Sequence, residues 1–479
     1  MNITSQKKLA SAAKWLVAIS MVASVSALFV CTARAQASPA SSVSGSDSAA
    51  HSSNLLTGAT TTTANAGANA PSVASVKPLD ANALQLQRGA YLTKAADCIA
   101  CHTANKEHPF AGGVPFATPF GIVYSTNISP DNDHGIGTFS DQDFIGAVRE
   151  GISKGHKRLY PAMPYTSYTQ LSDDDILAIR AYLKTVKPIA TDPPKNTLPF
   201  PFNQRWTLMF WNVLNFTDGR FTPDTSKSAE WNRGAYLVTA LGHCQECHTP
   251  RNFMEGLSSK SLAGAQLGNW NAYNITPDSV AGIGSWNDTD IEAYLRDGAA
   301  PGKANAAGPM AEVVENSTRF LTPQDLHAMA VFLKTVPAQS EGQSHSRFDQ
   351  GSVLTSVTDI RGRLPQPIPA AGLPADGKTL YVANCASCHG AKGEGIGGAA
   401  LGNYPSLVHN SVTGASNAKN LTMVILNGVS RETNYAHVVM PQFGDQLSNG
   451  DIATLVNFVN KQFGNPAVTT TAAEVKKLR

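Results

Sequence analysis

Six of the seven cysteines fall in one repeated string: Cys98-Ile-Ala-Cys101-His102, Cys244-Gln-Glu-Cys247-His248 and Cys385-Ala-Ser-Cys388-His389. Two residues between the thiols, with His directly after, let one turn of helix present both sulfurs to a porphyrin edge while the imidazole reaches the metal. The chemistry implied is thioether attachment of a c-type haem, with the His as proximal iron ligand. One such string alone could be a redox-active dithiol or half of a zinc site, and an exported chain could pair its cysteines in disulfides. Three copies that use every cysteine except Cys31 favour three haem c groups. On this reading Cys98, Cys101, Cys244, Cys247, Cys385 and Cys388 are the tethers, and His102, His248 and His389 are axial ligands.

The opposite face of each iron needs its own ligand, and that ligand decides the chemistry. A side chain aimed by a Pro-fixed loop is the natural candidate. Met163 lies in Pro161-Ala162-Met163-Pro164, Met310 in Gly308-Pro309-Met310 and Met440 in Val439-Met440-Pro441. Each lies downstream of its motif and just before a capped helix. A lone Met is usually packing material, but this recurrence points to ligation. Met209 and Met254 have no counterparts in the other repeats, Met329 and Met423 sit in apolar helical patterns, and His108, His134, His156, His409 and His437 do not recur. His/Met ligation leaves no vacant position, which suits electron transfer, so no catalytic residue is expected in the chain itself.

The elements that position these groups also repeat. Arg88-Gly89-Ala90-Tyr91-Leu92 matches Arg233-Gly234-Ala235-Tyr236-Leu237, Thr126-Asn127-Ile128 matches Tyr273-Asn274-Ile275, and Gly135-Ile136-Gly137 matches Gly282-Ile283-Gly284. The third copy is more distant and keeps Leu380-Tyr381 ahead of its cysteines. Ser172, Thr322 and Ser448 each read as the N-cap of a closing helix, with Asp175, Asp325 and Asp451 three residues on, placed to reach back to free backbone N–H groups. Ile176, Ile179 and Leu183 mark the apolar face of the first of these helices, with Leu326, Met329 and Leu333, then Ile452, Leu455 and Val459, in the others.

The fold class expected is mainly α, with three cytochrome c-like haem domains in tandem at 81–189, 229–337 and 373–464. An aromatic-rich connection (190–228), a polar linker (338–371) and a tail (465–479) complete that part. Residues 1–35 read as a secretory signal: Lys7, Lys8 and Lys14, an apolar run to Val30, then Ala33-Arg34-Ala35. Residues 36–79 are Ala-, Ser- and Thr-rich and read as a flexible leader. Cleavage removes four basic residues and no acidic one, turning the formal +2 of the 479-residue chain into −2. Neither value is a nucleic-acid footprint. No dinucleotide fingerprint, Walker loop or His-Glu-x-x-His is present. Gly393 to Gly398 read as a loop beside the third motif, and Asp173 to Asp175 as the solvated start of a helix. Between Leu198 and Phe216 the chain concentrates Phe200, Phe202, Trp206, Met209, Phe210, Trp211 and Leu214. This segment either packs between the first two domains or contacts a membrane or partner.

The three motifs, Tyr160-Pro161-Ala162-Met163-Pro164-Tyr165, Ser125-Thr126-Asn127-Ile128 and Cys247-His248-Thr249-Pro250-Arg251-Asn252-Phe253 together resemble the triheme cytochrome c subunit of bacterial membrane-associated dehydrogenases. Gluconate, fructose, sorbitol and quinoprotein alcohol dehydrogenases have such subunits. The resemblance runs from about Ala81 to the end of the chain. It implies an electron-transfer subunit that takes electrons from a flavoprotein or quinoprotein subunit oxidising a CH–OH donor and delivers them to ubiquinone of the respiratory chain. The site implied is the periplasm, peripherally at the inner membrane. The alternatives are a free periplasmic carrier, or a catalytic multihaem peroxidase or thiosulfate-type oxidoreductase.

Overall fold

Three helices open on capped polar residues. The side chains of Asp80, Ser228 and Asp376 accept the N–H groups of Ala83, Trp231 and Thr379, starting the leading helices Ala81–Ala95, Ala229–Tyr236 and Gly377–Asn384. The computed structural model describes residues 80–354, 376–396 and 404–479, all inside the compact unit Val76–Arg479. The signal segment, the leader and residues 355–371 of the expected linker lie outside the described residues.

Each leading helix crosses a closing helix, Asp173–Leu183, Pro323–Leu333 or Asn449–Phe463, and a glycine makes each crossing close. A Cβ on Gly89 would lie 1.9 Å from the carbonyl oxygen of Ala178, and one on Gly234 the same distance from that of Ala328. In the third crossing a Cβ on Gly377 would lie 2.4 Å from Cβ of Phe458. Helix axes this near require a residue without a side chain at the contact. Strands among the described residues are confined to short two-stranded antiparallel hairpins, so the fold is helix-rich, as the periodicity predicts.

The caps of the closing helices form on Ser172, Thr322 and Ser448. Only Asp451 reaches back to its N-cap, accepting the Ser448 N–H. Asp175 and Asp325 are turned to a different use. Asp325 accepts two hydrogen bonds from Arg233 of its own unit (2.8 and 2.7 Å) and one from the Tyr91 hydroxyl of the first unit (2.5 Å). Asp175 is held the same way by Arg88 (3.0 and 2.6 Å) and by Tyr236 of the second unit (2.5 Å). The Arg-Gly-Ala-Tyr repeat is therefore a reciprocal clamp, in which each Arg serves its own unit and each Tyr the other. Burial alone would raise the Asp325 carboxyl, but Arg233 and Tyr91 outweigh it and hold the group below its ordinary value.

The first two units also share one hydrophobic core, which includes Leu92, Ile176 and Leu183 from the first and Leu237, Leu241 and Leu326 from the second. Glu246, inside the second motif, accepts hydrogen bonds from Thr166 and Ser167 of the first unit. The third unit has its own core around Tyr381, Leu455 and Phe463. It joins the second through paired amides, Asn271 N–H to the Asn420 side chain (2.8 Å) and the Asn420 amide back to Asn271 O (2.9 Å). The buried Arg431, which donates to Ala306 O, adds a further link. Within the stretch read as a linker, Ser346, Arg347 and Phe348 are buried, because Arg347 donates to the carbonyls of Ala281 and Asn274. The segment read as a tail forms the helix Ala472–Leu478, seated by the buried Val475.

Candidate functional site

In all three units the motif forms a short helical turn, Cys98–His102, Gln245–His248 and Ala386–His389, and the His ring is fixed in the same way. Nδ1 of His102 lies 2.7 Å from Thr126 O, that of His248 2.6 Å from Tyr273 O, and that of His389 2.8 Å from Pro405 O. A carbonyl can only accept, so Nδ1 carries the proton and donates, leaving Nε2 with its lone pair free for a metal. Burial lowers the pKa of all three rings, which keeps them neutral.

The carbonyl of each His is held as well, by a glycine N–H: Gly112 (2.8 Å), Gly264 (2.7 Å) and Gly395 (2.8 Å). Each of these glycines has positive φ, 75°, 88° and 78°. A Cβ there would meet the backbone of Thr126, of Asn274 and Tyr273, or of Tyr404 and Pro405, the same stretches that supply the Nδ1 acceptors. The glycine thus lets the segment that carries the acceptor come close to the motif.

All six motif thiols are free. Burial first, then the neighbouring Asp97 carboxylate, pushes Cys98 and Cys101 up to about 12. Burial does the same for Cys244 and Cys385, and takes Cys247 to about 11. Among the described residues no group of three or more His, Cys, Asp or Glu is placed to hold a metal ion.

Cys98, Cys244, Met163 and Met310 pack against the shared core of the first two units. Cys385 belongs to the core of the third unit, and Met440 packs against it. The surroundings of the methionines depart from the irregular loops expected. Met310 stands in the first turn of the helix Pro309–Asn316, with Pro at its start. Gly308 before it takes φ 51°, where a Cβ would enter the Trp270 ring. Met440 ends the strand His437–Met440, paired with Val429. Only Met163 lies in a turn, held by its N–H to Tyr160 O.

The second unit has a cavity of about 1650 Å³ free of protein atoms, its open mouth included. Cys244, Cys247, His248 and Met310 all line it, with apolar walls from Ile283, Trp286, Tyr294 and Leu333. Ala95 and Asp97 of the first unit and Val412, Asn420 and Val424 of the third complete the lining. This chemistry fits a haem. The two cysteines, the His and the Met line a single largely apolar space. Two residues of the wall keep an unpartnered donor atom among the described residues, Trp286 Nε1 and Arg347 Nε, while the other two Arg347 nitrogens donate to Ala281 O and Asn274 O. A buried guanidinium in the wall puts a positive charge beside this space, which suits a ligand that carries carboxylates, as haem does through its propionates.

Sequence reasoning singles out the six motif cysteines, the three histidines and the three methionines, but not Thr126, Tyr273 and Pro405 as acceptors, Gly112, Gly264 and Gly395 as spacers, or Arg347. A carbonyl acceptor leaves no trace in residue type. The signal that was available is the recurrence of Thr126-Asn127-Ile128 as Tyr273-Asn274-Ile275.

Crossed helices around a Cys-x-x-Cys-His turn define the cytochrome c class, and the cytochrome c family profile matches residues 86–187 and 374–462. The chain is 41% identical to the fructose dehydrogenase cytochrome subunit of Gluconobacter japonicus, across 84% of each chain. It is 37% identical to the cytochrome c subunit of the quinone alcohol dehydrogenase of Gluconacetobacter polyoxogenes, over 84% of this chain and 85% of that one. With the gluconate 2-dehydrogenase cytochrome c subunit of Pantoea cypripedii it shares 36% identity, over 85% and 92%. The chain belongs to the family of cytochrome c subunits of fructose, alcohol and gluconate dehydrogenases, and its cofactor class is haem c.

Proposed function

We propose that this chain is the electron-transfer subunit of a flavin- or quinone-dependent sugar or alcohol dehydrogenase, carries three covalent haems, and delivers electrons to ubiquinone at the periplasmic face of the inner membrane. The observation that carries the reading is the threefold geometry: a His with Nδ1 bonded to a carbonyl, in a motif whose two thiols are free and whose first thiol packs on the same core as a Met. Haem c, when bound, supplies a one-electron iron couple whose potential a thioether ligand raises relative to a second imidazole.

The chain's residues hold that group and set its surroundings. Cys98 and Cys101, Cys244 and Cys247, and Cys385 and Cys388 are the attachment points. His102, His248 and His389, with Met163, Met310 and Met440, would supply the ligands of the three irons. The cavity of the second unit is walled by residues of both neighbouring units, which supports a relay with the second unit in the middle.

Arg347 is a buried cation in the wall of this cavity. Arg347→Met removes a positive charge that favours the reduced state. A charge within about 10 Å at an effective dielectric of about 20 is worth ~1.7 kcal/mol, equivalent to ~70 mV for one electron. A redox titration should show one of the three couples lowered by about that amount; three unchanged potentials would remove Arg347 from the site.

The function is tested on the complex purified with whatever dehydrogenase subunit accompanies the chain. Fructose, ethanol or gluconate should reduce the haem bands and then a short-chain ubiquinone. Reduced haem without quinone reduction would make the chain a carrier only.

A further inference from the structure

The aromatic connection folds into the helix Leu208–Asn215 behind a 3-10 turn, Arg205–Thr207. One side of it is anchored: Leu208 is buried, the Trp211 indole N–H donates to Met254 O, and Tyr165 stands edge-on to Trp211 and Phe216. The other side is bare. Trp206, Phe210, Val213 and Leu214 are 57%, 59%, 82% and 68% exposed, and Phe253 on the adjoining loop is 86% exposed. Trp206, Phe210 and Leu214 follow one another at four-residue steps, so they form a single stripe.

Within the two stretches that carry the stripe and its flank the charges have one sign, and Asp218 and Glu255 lie just outside them. From 193 to 217 the only charged residues are Lys195 and Arg205, and from 151 to 171 the only ones are Lys154, Lys157 and Arg158. The two stretches meet in space. The Arg205 guanidinium donates to Arg158 O and lies 4.6 Å over the Tyr160 ring, and the Tyr160 hydroxyl donates to Phe202 O. Lys154, His156 and Lys157 are exposed on the hairpin Ile152–Ser153 and Lys157–Arg158. Among the described residues no helix is long and apolar enough to cross a membrane.

We propose that this face is a docking surface for an anionic phospholipid bilayer. The stripe enters the boundary between headgroups and acyl chains, and the basic hairpin lies against the phosphates. The combination fits a bilayer: aromatic and aliphatic side chains on an exposed helix, a basic rim and no acid within either stretch are the pattern of interfacial anchors. Docked this way, the first unit is turned toward the lipid, because Tyr160 and Tyr165, at the two ends of the Met163 turn, are bonded to Phe202 and Asn212 of the anchor segment. The proposal rests on the membrane association included in the proposed function and specifies the surface responsible.

The test is flotation of the haem-loaded full chain with vesicles of phosphatidylglycerol and phosphatidylethanolamine, against vesicles of phosphatidylcholine alone. The wild type should float with the anionic vesicles. Phe210→Ser with Leu214→Ser should weaken binding more than tenfold on the loss of two inserted side chains. Lys154→Gln with Lys157→Gln should weaken it about fivefold per charge on anionic vesicles and leave phosphatidylcholine binding unchanged. Variants that float as the wild type does, or a wild type that ignores anionic vesicles, would overturn the proposal, as would loss of a copurifying dehydrogenase subunit without any change in flotation. The haem spectrum and reduction by a soluble dye are read on the same samples. Intact haem bands without flotation sink only the docking surface, whereas missing bands sink the electron-transfer reading itself.

Discussion

Gly234→Val is expected to leave almost no folded chain in the soluble fraction. A Cβ at this position would already lie 1.9 Å from Ala328 O and 2.5 Å from its carbonyl carbon, which is backbone and cannot rotate away. The helices Ala229–Tyr236 and Pro323–Leu333 would have to separate. Their separation would break the Arg233–Asp325 pair, the edge-on packing of Trp231 with Phe332 and, through Tyr236 and Asp175, the clamp to the first unit. Overpacking a well-packed site typically costs about 1–3 kcal/mol; with the linked ion pair and hydrogen bonds broken as well, the total should reach ~4 kcal/mol or more, the diagnostic range for a single substitution. Gly219→Ala is the control, since nothing lies within 4 Å of a Cβ there. Thermal unfolding of the two variants beside the wild type decides the point. A Gly234→Val protein that melts with the wild type would mean the helices do not cross at this glycine.

The second large effect is expected from Met310→Ala. If Met310 were only core, its truncation would cost about 2–5 kcal/mol of stability and leave the redox chemistry alone. If Met310, which lines the same cavity as His248, is an iron ligand, its loss should lower one of three potentials by on the order of 0.1 V or more, since axial ligands alone span about 0.8 V. It should also remove about a third of the weak red-edge absorption that Met–iron(III) ligation produces. Potentiometry and the oxidised spectrum of the same sample test both. A destabilised protein with three unchanged potentials would return Met310 to the core.

These two residues differ in how openly the sequence displays their roles. Gly234 stands in Arg-Gly-Ala-Tyr, a string repeated from Gly89, so the repeat is visible, while the reason for it is a close approach to a helix that begins at Pro323. Asp175 and Asp325 fit a helix-cap pattern, and only the packed units show that Arg and Tyr claim them instead. Local chemistry is legible because cysteine spacing, caps and apolar periodicity act within a few residues. Tyr91, Asp325 and Arg233 are partners across long stretches of chain, and no local pattern reports that. Arg347 is the clearest case. In a polar, Pro-bearing stretch it reads as linker, whereas its guanidinium is buried over the Tyr273 ring at 4.8 Å in the wall of the cavity of the second unit. The acceptors of the three His rings are invisible for a different reason, since Thr126, Tyr273 and Pro405 share only a carbonyl. The aromatic stripe was legible as an interface or a packed helix, and the exposure of Phe210 and Leu214 favours the interface.

The number of haems per chain tests the central claim most directly. The chain is produced in a host that attaches haem c, purified, and assayed for pyridine haemochrome against polypeptide concentration, with the intact mass read in parallel. The expected value is three, falling to two when both cysteines of any one motif are changed to Ala. Two haems on the unaltered chain, or a count unmoved by Cys244→Ala with Cys247→Ala, would contradict the account.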